Sequence, residues 1–416
     1  MTTRDTHRAP APSGGGPVHS TPLAERSLAP DLARGMMLLL IALAHVPWFI
    51  YDAPAGLALL HPADGDIADK IAQALTVVTV DARAYTMFGF LFAYGVGQLY
   101  ARQMSRGTSP AHARRLLRRR HLWMLLFGAV HALLLWQGDI IGTYGLIGLI
   151  MVPLFLNRTD RTLKVWIAVL LAAGALYSVA TAVAGLVLPA ADAAVSAADI
   201  QRTSITETGY LLSAAIRLPT WGVALVSGLI TFALPTAFLI GLLAARHRLL
   251  DEPARHLPLL RLLAVAGISV GWLAGLPLAL QHVGAIGPAY LPVVTELHLF
   301  TGTFAGVGYA ALFGLVAHWI ATRGRQRSLP VRALVSLGRR SMSGYLAQSL
   351  VWGPVLAAWG LGLGVYLSSW SAMLVAVATW LATVAVAYAL DRTGRRGPAE
   401  VLLRRLTYRA VRSGND

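Results

Sequence analysis

Long apolar segments recur along almost the whole chain after residue 30, with only short polar breaks between them. A segment of about 20 mostly apolar residues is long enough to cross a bilayer. A spanning segment without neighbouring strands satisfies its own backbone hydrogen bonds only as a helix. The sequence therefore predicts an all-α, polytopic membrane protein with about ten transmembrane helices. The predicted spans lie near residues 32–51, 84–104, 117–136, 140–156, 163–188, 221–245, 258–280, 291–321, 341–360 and 369–390.

The composition agrees with this class. Hydrophobic residues make up 56% of the 416 residues and charged residues 13%, whereas an ordinary soluble domain carries roughly 25% charge. The chain has no cysteine, which excludes disulfides, thiol nucleophiles and cysteine-based zinc sites. Its net charge of +16 is also found in nucleic-acid-binding domains. Here the arginines lie between apolar spans, so we expect membrane lipids and not nucleic acid as the partner.

The basic residues alternate from loop to loop. With the N-terminus inside, 31 of the 35 Lys and Arg residues fall on the inner side, and the outer side keeps four. This pattern satisfies the positive-inside rule and places both termini in the cytoplasm of a multi-pass protein of the cell (plasma) membrane. The pair Asp81 and Arg83, which precedes the second span, is interpreted as an ion pair of an outer loop.

The chain divides into three parts. Residues 1–29 are rich in Pro, Gly, Ser and Thr and are predicted to form a disordered cytoplasmic tail, because they cannot bury enough apolar surface. Residues 30–392 form the transmembrane helical domain, and 393–416 a basic cytoplasmic C-terminal segment. The ambiguous segment 203–218 is interpreted as an interfacial helix.

A histidine and an aspartate lie close together near the outer end of the third span. His131 is inside the apolar helix, and Asp139 follows in the polar turn. An aspartate that orients a histidine and stabilises its charged form is typical of general-base catalysis, so both residues are predicted to be catalytic. The alternative for Asp139 is structural: its carboxylate would cap the N-terminus of the fourth span, where the helix dipole favours an anion.

The first span carries a second polar pair. Arg34 and His45 are eleven residues apart, which is about three helical turns or ~16 Å of rise, so they share one helix face. Arg34 at the inner end suits an anionic cofactor, and His45 farther out suits catalysis. In the alternative reading, Arg34 pairs with Asp31 at the helix start and His45 bonds a neighbouring carbonyl.

The arginines between residues 114 and 120 form paired stripes. Arg114 with Arg118, and Arg115 with Arg119, are i,i+4 neighbours on a helix. Planar guanidinium groups suit phosphates, so these four and Arg34 are predicted to bind the phosphates of a coenzyme A tail. The alternative is a topology signal or a contact with anionic lipids. No metal is expected, because two histidines alone are weak evidence for zinc.

Several motifs resemble one family. The chain resembles the YeiB family of bacterial inner-membrane proteins, a domain of unknown function, over nearly everything after residue 30. The motifs are Asp31-x-x-Arg34-Gly35, Phe88-Gly89-x-Leu91-Phe92, Gly128-x-x-His131, Trp136-x-Gly138-Asp139-Ile140, Tyr144-Gly145, Gly338-Arg339-x-Ser341-Met342-x-x-Tyr345 and Arg396-Gly397-Pro398.

The YeiB family in turn looks like a relative of the transmembrane acyltransferases, a superfamily that includes polysaccharide O-acyltransferases. His45 stands where some acyltransferases have a histidine and many YeiB relatives have Asn. The resemblance implies an acyl-CoA donor bound from the cytoplasm and a small-molecule or glycan acceptor at the outer face. His131 or His45 would be the base. The sequence leaves the oligomeric state open, a homodimer included.

Two other functions remain open at this point. The same polar residues suit a proton relay in a transporter of a small solute or lipid, and a non-catalytic accessory protein is the third reading. Cavity shape separates the first two. An enzyme should have a cavity that joins the inner arginines to His131, whereas a transporter should have two pseudo-symmetric halves.

Overall fold

The computed structural model describes residues 27–58, 60–188 and 197–408. Within those ranges the chain forms fifteen α-helices joined by turns and short 3-10 segments, with no β-strand. The predicted disordered tail lies outside the described residues as far as residue 26, and the end of the C-terminal segment lies outside from residue 409. The helices are α1 (Leu28–His45), α2 (Ile67–Thr79), α3 (Ala84–Ser105), α4 (Pro110–Leu134), α5 (Ile141–Phe155), α6 (Asp160–Val187), α7 (Ala197–Thr206), α8 (Tyr210–Ile230), α9 (Ala233–Arg246), α10 (Leu257–His282), α11 (Leu291–Thr322), α12 (Leu329–Gly338), α13 (Ser341–Leu356), α14 (Ser369–Arg392) and α15 (Pro398–Tyr408).

The predicted fold class is confirmed: the protein is an all-α polytopic membrane protein. Seven of the described helical segments are long and apolar enough to cross a membrane by length and composition. Shorter apolar helices, α5, α9 and α12, accompany them. The seven segments are Leu28–Phe49, Ile67–Ser105, Asp160–Val187, Tyr210–Ile230, Pro253–His282, Leu291–Thr322 and Ser369–Arg392.

Four of the ten predicted spans do not correspond to one of these seven segments. Helix α4 has the length of a span, but its first half carries the arginine run, and charged side chains are costly in lipid. Helices α5 and α13 have 15 and 16 residues, so each rises less than the ~30 Å of a bilayer core. The predicted span 221–245 is divided between α8 and α9.

The break between α8 and α9 lies at Thr231 and Phe232. Phe232 has φ +57°, a left-handed conformation that is uncommon outside glycine and ends the α8 hydrogen-bond ladder. Helix α8 begins eleven residues before the predicted span, at Tyr210, and absorbs the latter part of the predicted interfacial helix 203–218. Nothing in the apolar run itself signals this break.

Four of the described helices lie outside the predicted spans: α2, α7, α12 and α15. Helix α2 occupies the predicted outer loop before α3, and its N-terminus has a capping box formed by Asp66 and Asp69. Helix α12 lies between the predicted spans 291–321 and 341–360, and α15 lies in the predicted basic C-terminal segment. Arginines interrupt their hydrophobic residues, so neither helix contains a long apolar run.

The surface of the outer helices is apolar. Helix α6 buries only three of its 28 residues, and Leu176 and Val187 on it are more than 70% exposed. Exposed apolar surface on this scale suits contact with lipid and not with water. The buried face of α14 consists mainly of Ala372, Ala376 and Ala387, small residues that allow close helix packing in a membrane.

Contacts between helix ends join segments that the sequence assigns to the same side of the membrane. The guanidinium of Arg246, at the end of α9, lies 2.8 Å from the carboxylate of Asp160 at the start of α6. At the other end, Arg217 of α8 donates to the carbonyl of Leu133 (2.9 Å) near the end of α4. Helix α1 is central and contacts α3, α11, α12, α13 and α14.

Gly338, at the end of α12, sets the distance between α12 and α1. A Cβ atom placed there would lie 1.7 Å from the carbonyl oxygen of Asp31, and neither backbone can yield locally. We expect Gly338→Ala to destabilise the protein by about 1–3 kcal/mol or more, the usual cost of overpacking. Thermal unfolding in detergent measures this. Gly222→Ala is the control, because no atom lies within 4 Å of its added Cβ; equal melting temperatures for the two variants would contradict the prediction.

Candidate functional site

Asp139, in the turn between α4 and α5, caps α5. Its Oδ2 accepts from the backbone N–H of Gly142 (2.6 Å) and its Oδ1 from that of Ile141 (3.2 Å). The indole N–H of Trp221 also donates to Oδ2 (3.3 Å). The carboxylate is fully buried, so the helix N-terminus and these donors supply the stabilisation that water would otherwise give. Asp139 therefore caps the N-terminus of α5, as the structural alternative for this residue predicted.

The same carboxylate also contacts His131. Nδ1 of His131 lies 3.1 Å from Oδ1 of Asp139, and both side chains are buried. Neither ring nitrogen has a hydrogen bond of standard geometry to any residue that the structure describes, so the pair is a close electrostatic contact without good alignment. A carboxylate beside Nδ1 favours the tautomer with its proton there, which leaves the lone pair on Nε2. The contact with His131 and the capping of α5 thus coexist.

Gly128 allows this arrangement. It lies on α4, and an added Cβ would come within 2.3 Å of Oδ2 of Asp139 and 2.4 Å of the backbone nitrogen of Gly142. The start of α5 therefore rests directly on the backbone of α4. This close approach explains why residue 128 is a glycine.

His45 joins the pair from α1. Its ring packs edge-on against Trp136, with the centroids 4.6 Å apart. The ring of Tyr345, from α13, lies 6.2 Å from that of His45 and 5.4 Å from that of His131. The three predicted catalytic residues therefore surround one tyrosine. We call His45, His131, Asp139 and Tyr345 the histidine cluster.

Tyr345 was not predicted as a site residue. Its hydroxyl donates to the carbonyl of Gly138 (3.1 Å) and accepts from the N–H of Ile140 (3.3 Å). It therefore binds the same turn that holds Asp139. Its place in the motif that begins at Gly338 could have marked Tyr345 as a candidate site residue. The motif alone does not indicate which helix Tyr345 contacts.

A cavity of about 300 Å³ leads towards the cluster. On α1 it is lined first by Arg34 and then by Leu38, and on α4 first by Arg120 and then by Met124. Ile140, Ile141 and Tyr345 also line it; Tyr345 lies about one helical turn beyond the start of α13, so we assign these residues to the end away from the arginines. We call it the arginine cavity. The arginines that line it are Arg34, Arg102, Arg120, Arg339, Arg340, Arg396 and Arg404.

Carboxylates hold several of these arginines in place. Asp31 lies 3.4 Å from Arg34 and 3.3 Å from Arg339, and Asp391 lies 3.1 Å from Arg340. Arg34 also donates to a backbone carbonyl of α3 (3.2 Å). The predicted Asp31–Arg34 pairing is thus present, and it positions the guanidinium on the cavity wall.

The other arginines predicted for cofactor binding lie elsewhere. Arg114, Arg115, Arg118 and Arg119 are not among the residues that line the cavity, and the first three are exposed. On this part of α4 the buried face consists of Ala113, Leu116 and Leu117, so the paired stripes face away from the protein. Of the five predicted binding residues, only Arg34 lines the cavity.

A second buried polar group lies between the start of α3 and helices α10 and α11. His61 contacts the carboxylate of Asp81 (2.8 Å), and the guanidinium of Arg83 contacts Nδ1 of His298 (2.8 Å). Arg83 also donates to the backbone of Asp81 and of α10. Asp81 and Arg83 were interpreted as an ion pair of an outer loop; in the structure each is buried and has a histidine partner. Sequence gave no signal for His61, which comes from a loop.

The fold and the histidine cluster define a polytopic all-α membrane protein with a buried polar centre beside a basic cavity. Residues 244–410 match a family model described as "Protein of unknown function (DUF418)". The chain is 26% identical to the uncharacterized protein YxaH of Bacillus subtilis (strain 168), over 91% of this chain and 93% of that protein. It is also 26% identical to the uncharacterized protein YeiB of Escherichia coli (strain K12), over 93% of this chain and 97% of that one.

A third relative is shorter in its match. The uncharacterized 39.9 kDa protein in the amylase 3' region of Bacillus acidopullulyticus is 30% identical over 34% of this chain and 37% of its own length. No solved structure matches the chain. The predicted resemblance to the YeiB family is confirmed by these comparisons.

Proposed function

We propose that this protein transfers an acyl group from cytoplasmic acyl-CoA to an acceptor at the outer face of the plasma membrane. The observation that carries the proposal is the lining of the arginine cavity, which includes both seven arginines and Tyr345. The ring centroid of Tyr345 lies 5.4 Å from that of His131 and 6.2 Å from that of His45. The enzyme hypothesis requires a cavity that connects the inner arginines with His131; this cavity reaches Tyr345, and neither His131 nor His45 lines it.

The lining suits a donor that has a phosphorylated head and an apolar acyl end. Seven arginines line the cavity, and the carboxylate of Glu400 is the acidic group among the lining residues. Glu400 accepts from the backbone of Met342 and Ser343 at the start of α13, so it is already engaged. Guanidinium groups bind phosphates in bidentate geometry. The deeper lining is apolar, with Leu38, Phe88 and Leu91 among its residues.

The histidine cluster suits the chemical step. In the proposed reaction, the acceptor hydroxyl or amine attacks the thioester carbonyl while His131 takes its proton through Nε2. Asp139 holds the imidazole and stabilises its charged form. When the carbon–sulfur bond breaks, the coenzyme A thiolate takes that proton from the imidazolium, so the transfer releases no net proton. His45 is the second base within the cluster.

The first experiment is donor binding, measured as a thermal shift of the purified protein with acetyl-CoA. We expect a stabilisation for the wild type, which by mass action reaches about 2.7 kcal/mol at 100 times the Kd. Arg34→Ala should lose it, because Arg34 lines the cavity, and His131→Ala should keep it. Arg118→Ala is the matched control, since Arg118 is exposed and away from the cavity.

The outcomes separate the alternatives. No shift with any acyl-CoA would refute acyl transfer from coenzyme A and favour the transport of a small solute or lipid by the same residues. A loss in Arg118→Ala but not in Arg34→Ala would mean that the stripe on α4 binds the donor, and not the cavity, which Arg34 lines.

A further inference from the structure

The arginine cavity and the histidines are separated by a thin wall. The wall residues are Ile140, Ile141 and Tyr345, and the side chains of His131 and Asp139 are buried behind it. Tyr345 lines the cavity and also packs against both histidines. A group held in the cavity therefore meets Tyr345 before it can meet His131.

The wall has a fixed part and a part that can move. The turn at residues 138–141 is fixed, because the carboxylate of Asp139 accepts from two of the following backbone N–H groups and from Trp221. The Tyr345 side chain is held by the two hydrogen bonds of its hydroxyl, at 3.1 and 3.3 Å. A rotamer change of one side chain breaks far less than a shift of the turn, which would uncap α5.

We propose that Tyr345 is the gate between the arginine cavity and the histidines, and that its ring must swing aside before His131 can react with a group bound in the cavity. The role of the gate in catalysis rests on the proposed function. The geometry of the gate does not depend on which ligand fills the cavity. Tyr345 then acts as a positioning residue: it decides when the reacting groups meet.

The test measures the reactivity of His131 without any donor. Diethyl pyrocarbonate carbethoxylates neutral imidazole, and mass spectrometry of peptides gives the rate for each histidine. His112 is exposed and is the reference for free reactivity, whereas His121 is fully buried on the same helix as His131 and reports general loosening. In the wild type we expect His131 to react far more slowly than His112.

Two variants should open the gate. Tyr345→Ala removes the ring, and we expect the His131 rate to rise about tenfold or more, which corresponds to ~1.4 kcal/mol of opening free energy. Tyr345→Phe keeps the ring but loses both hydroxyl bonds, so it should give a smaller rise and remain the better folded of the two. Tyr144→Phe is the matched control: that buried tyrosine donates to the carbonyl of Tyr85 and does not line the cavity.

An unchanged His131 rate in Tyr345→Ala would overturn the proposal, as would a parallel rise at His121, which would show loosening of the whole helix. The failure of the proposed function looks different. If acetyl-CoA gives no thermal shift while the His131 rate still responds to Tyr345, the gate stands and the donor assignment falls. If acetyl-CoA binds while the carbethoxylation rate of His131 does not respond to Tyr345, the gate falls and the donor assignment stands.

Discussion

Replacing Asp139 with alanine is expected to cost about 3–5 kcal/mol of stability, the usual cost of removing one partner from a buried polar pair. The change leaves the N–H groups of Ile141 and Gly142 and the indole of Trp221 without their acceptor. It also removes the partner of His131. Thermal unfolding in detergent measures the loss. Asp160→Ala is the control, since that carboxylate is partly exposed and its ion pairs lie at the surface, where such pairs contribute little.

Asp139→Asn separates the two tasks of this residue. The single amide oxygen can still accept from the N–H of Gly142, but the NH2 group cannot accept from Ile141. We therefore expect this variant to fold and to lose less stability than Asp139→Ala. The neutral amide cannot stabilise a charged His131. By analogy with other histidine–aspartate pairs, the rate of the proposed acyl transfer should fall by about 10⁴. The release of coenzyme A from acetyl-CoA by the purified protein measures the rate. An active Asp139→Asn variant would restrict Asp139 to capping.

Replacing Gly128 with alanine is expected to have the second large effect. The added Cβ would meet Oδ2 of Asp139 at 2.3 Å and the Cα of Gly142 at 2.4 Å. One of these neighbours is a helix backbone, so α4 and α5 must separate. We expect about 1–3 kcal/mol of destabilisation or more, together with the loss of the contact between His131 and Asp139.

Two measurements check the Gly128→Ala prediction. Thermal unfolding gives the loss of stability, and carbethoxylation of His131 reports whether the cluster has opened. Gly222→Ala, on α8, adds the same methyl group where no atom lies within 4 Å and should leave both unchanged. A Gly128→Ala protein with the melting temperature and His131 reactivity of the wild type would show that α4 and α5 do not pack as closely as described.

The relation between His131 and Asp139 follows partly from the local sequence. His131 and Asp139 were predicted to be catalytic because an aspartate can orient a histidine and because only a short turn follows the helix of His131. The sequence left open whether Asp139 faces His131. Both readings of Asp139, as a cap of α5 and as a partner of His131, came from the same local pattern. The structure shows that one carboxylate does both, since its two oxygens face different neighbours.

The arginines show where local information ends. The helical repeat correctly groups Arg114 with Arg118, but it does not say which side of α4 faces the protein. That choice depends on the partners of the whole helix, and here it turns Arg120 towards the cavity and the stripes away from it. Arg339 and Arg404 join from segments that are distant in the sequence, so no spacing rule could include them.

By itself, the sequence determined the fold class, through the recurrence of apolar segments, and it placed His131 and Asp139 on either side of one short turn. The contact between these two side chains was left open by the sequence and is shown by the structure. Only the tertiary structure decided that His45 and Tyr345 complete the cluster, and which arginines line the cavity. The physical reason is that helix pitch fixes the neighbours within one helix. Contacts between helices depend on how closely the backbones approach, and that distance is set at a few small residues such as Gly128 and Gly338.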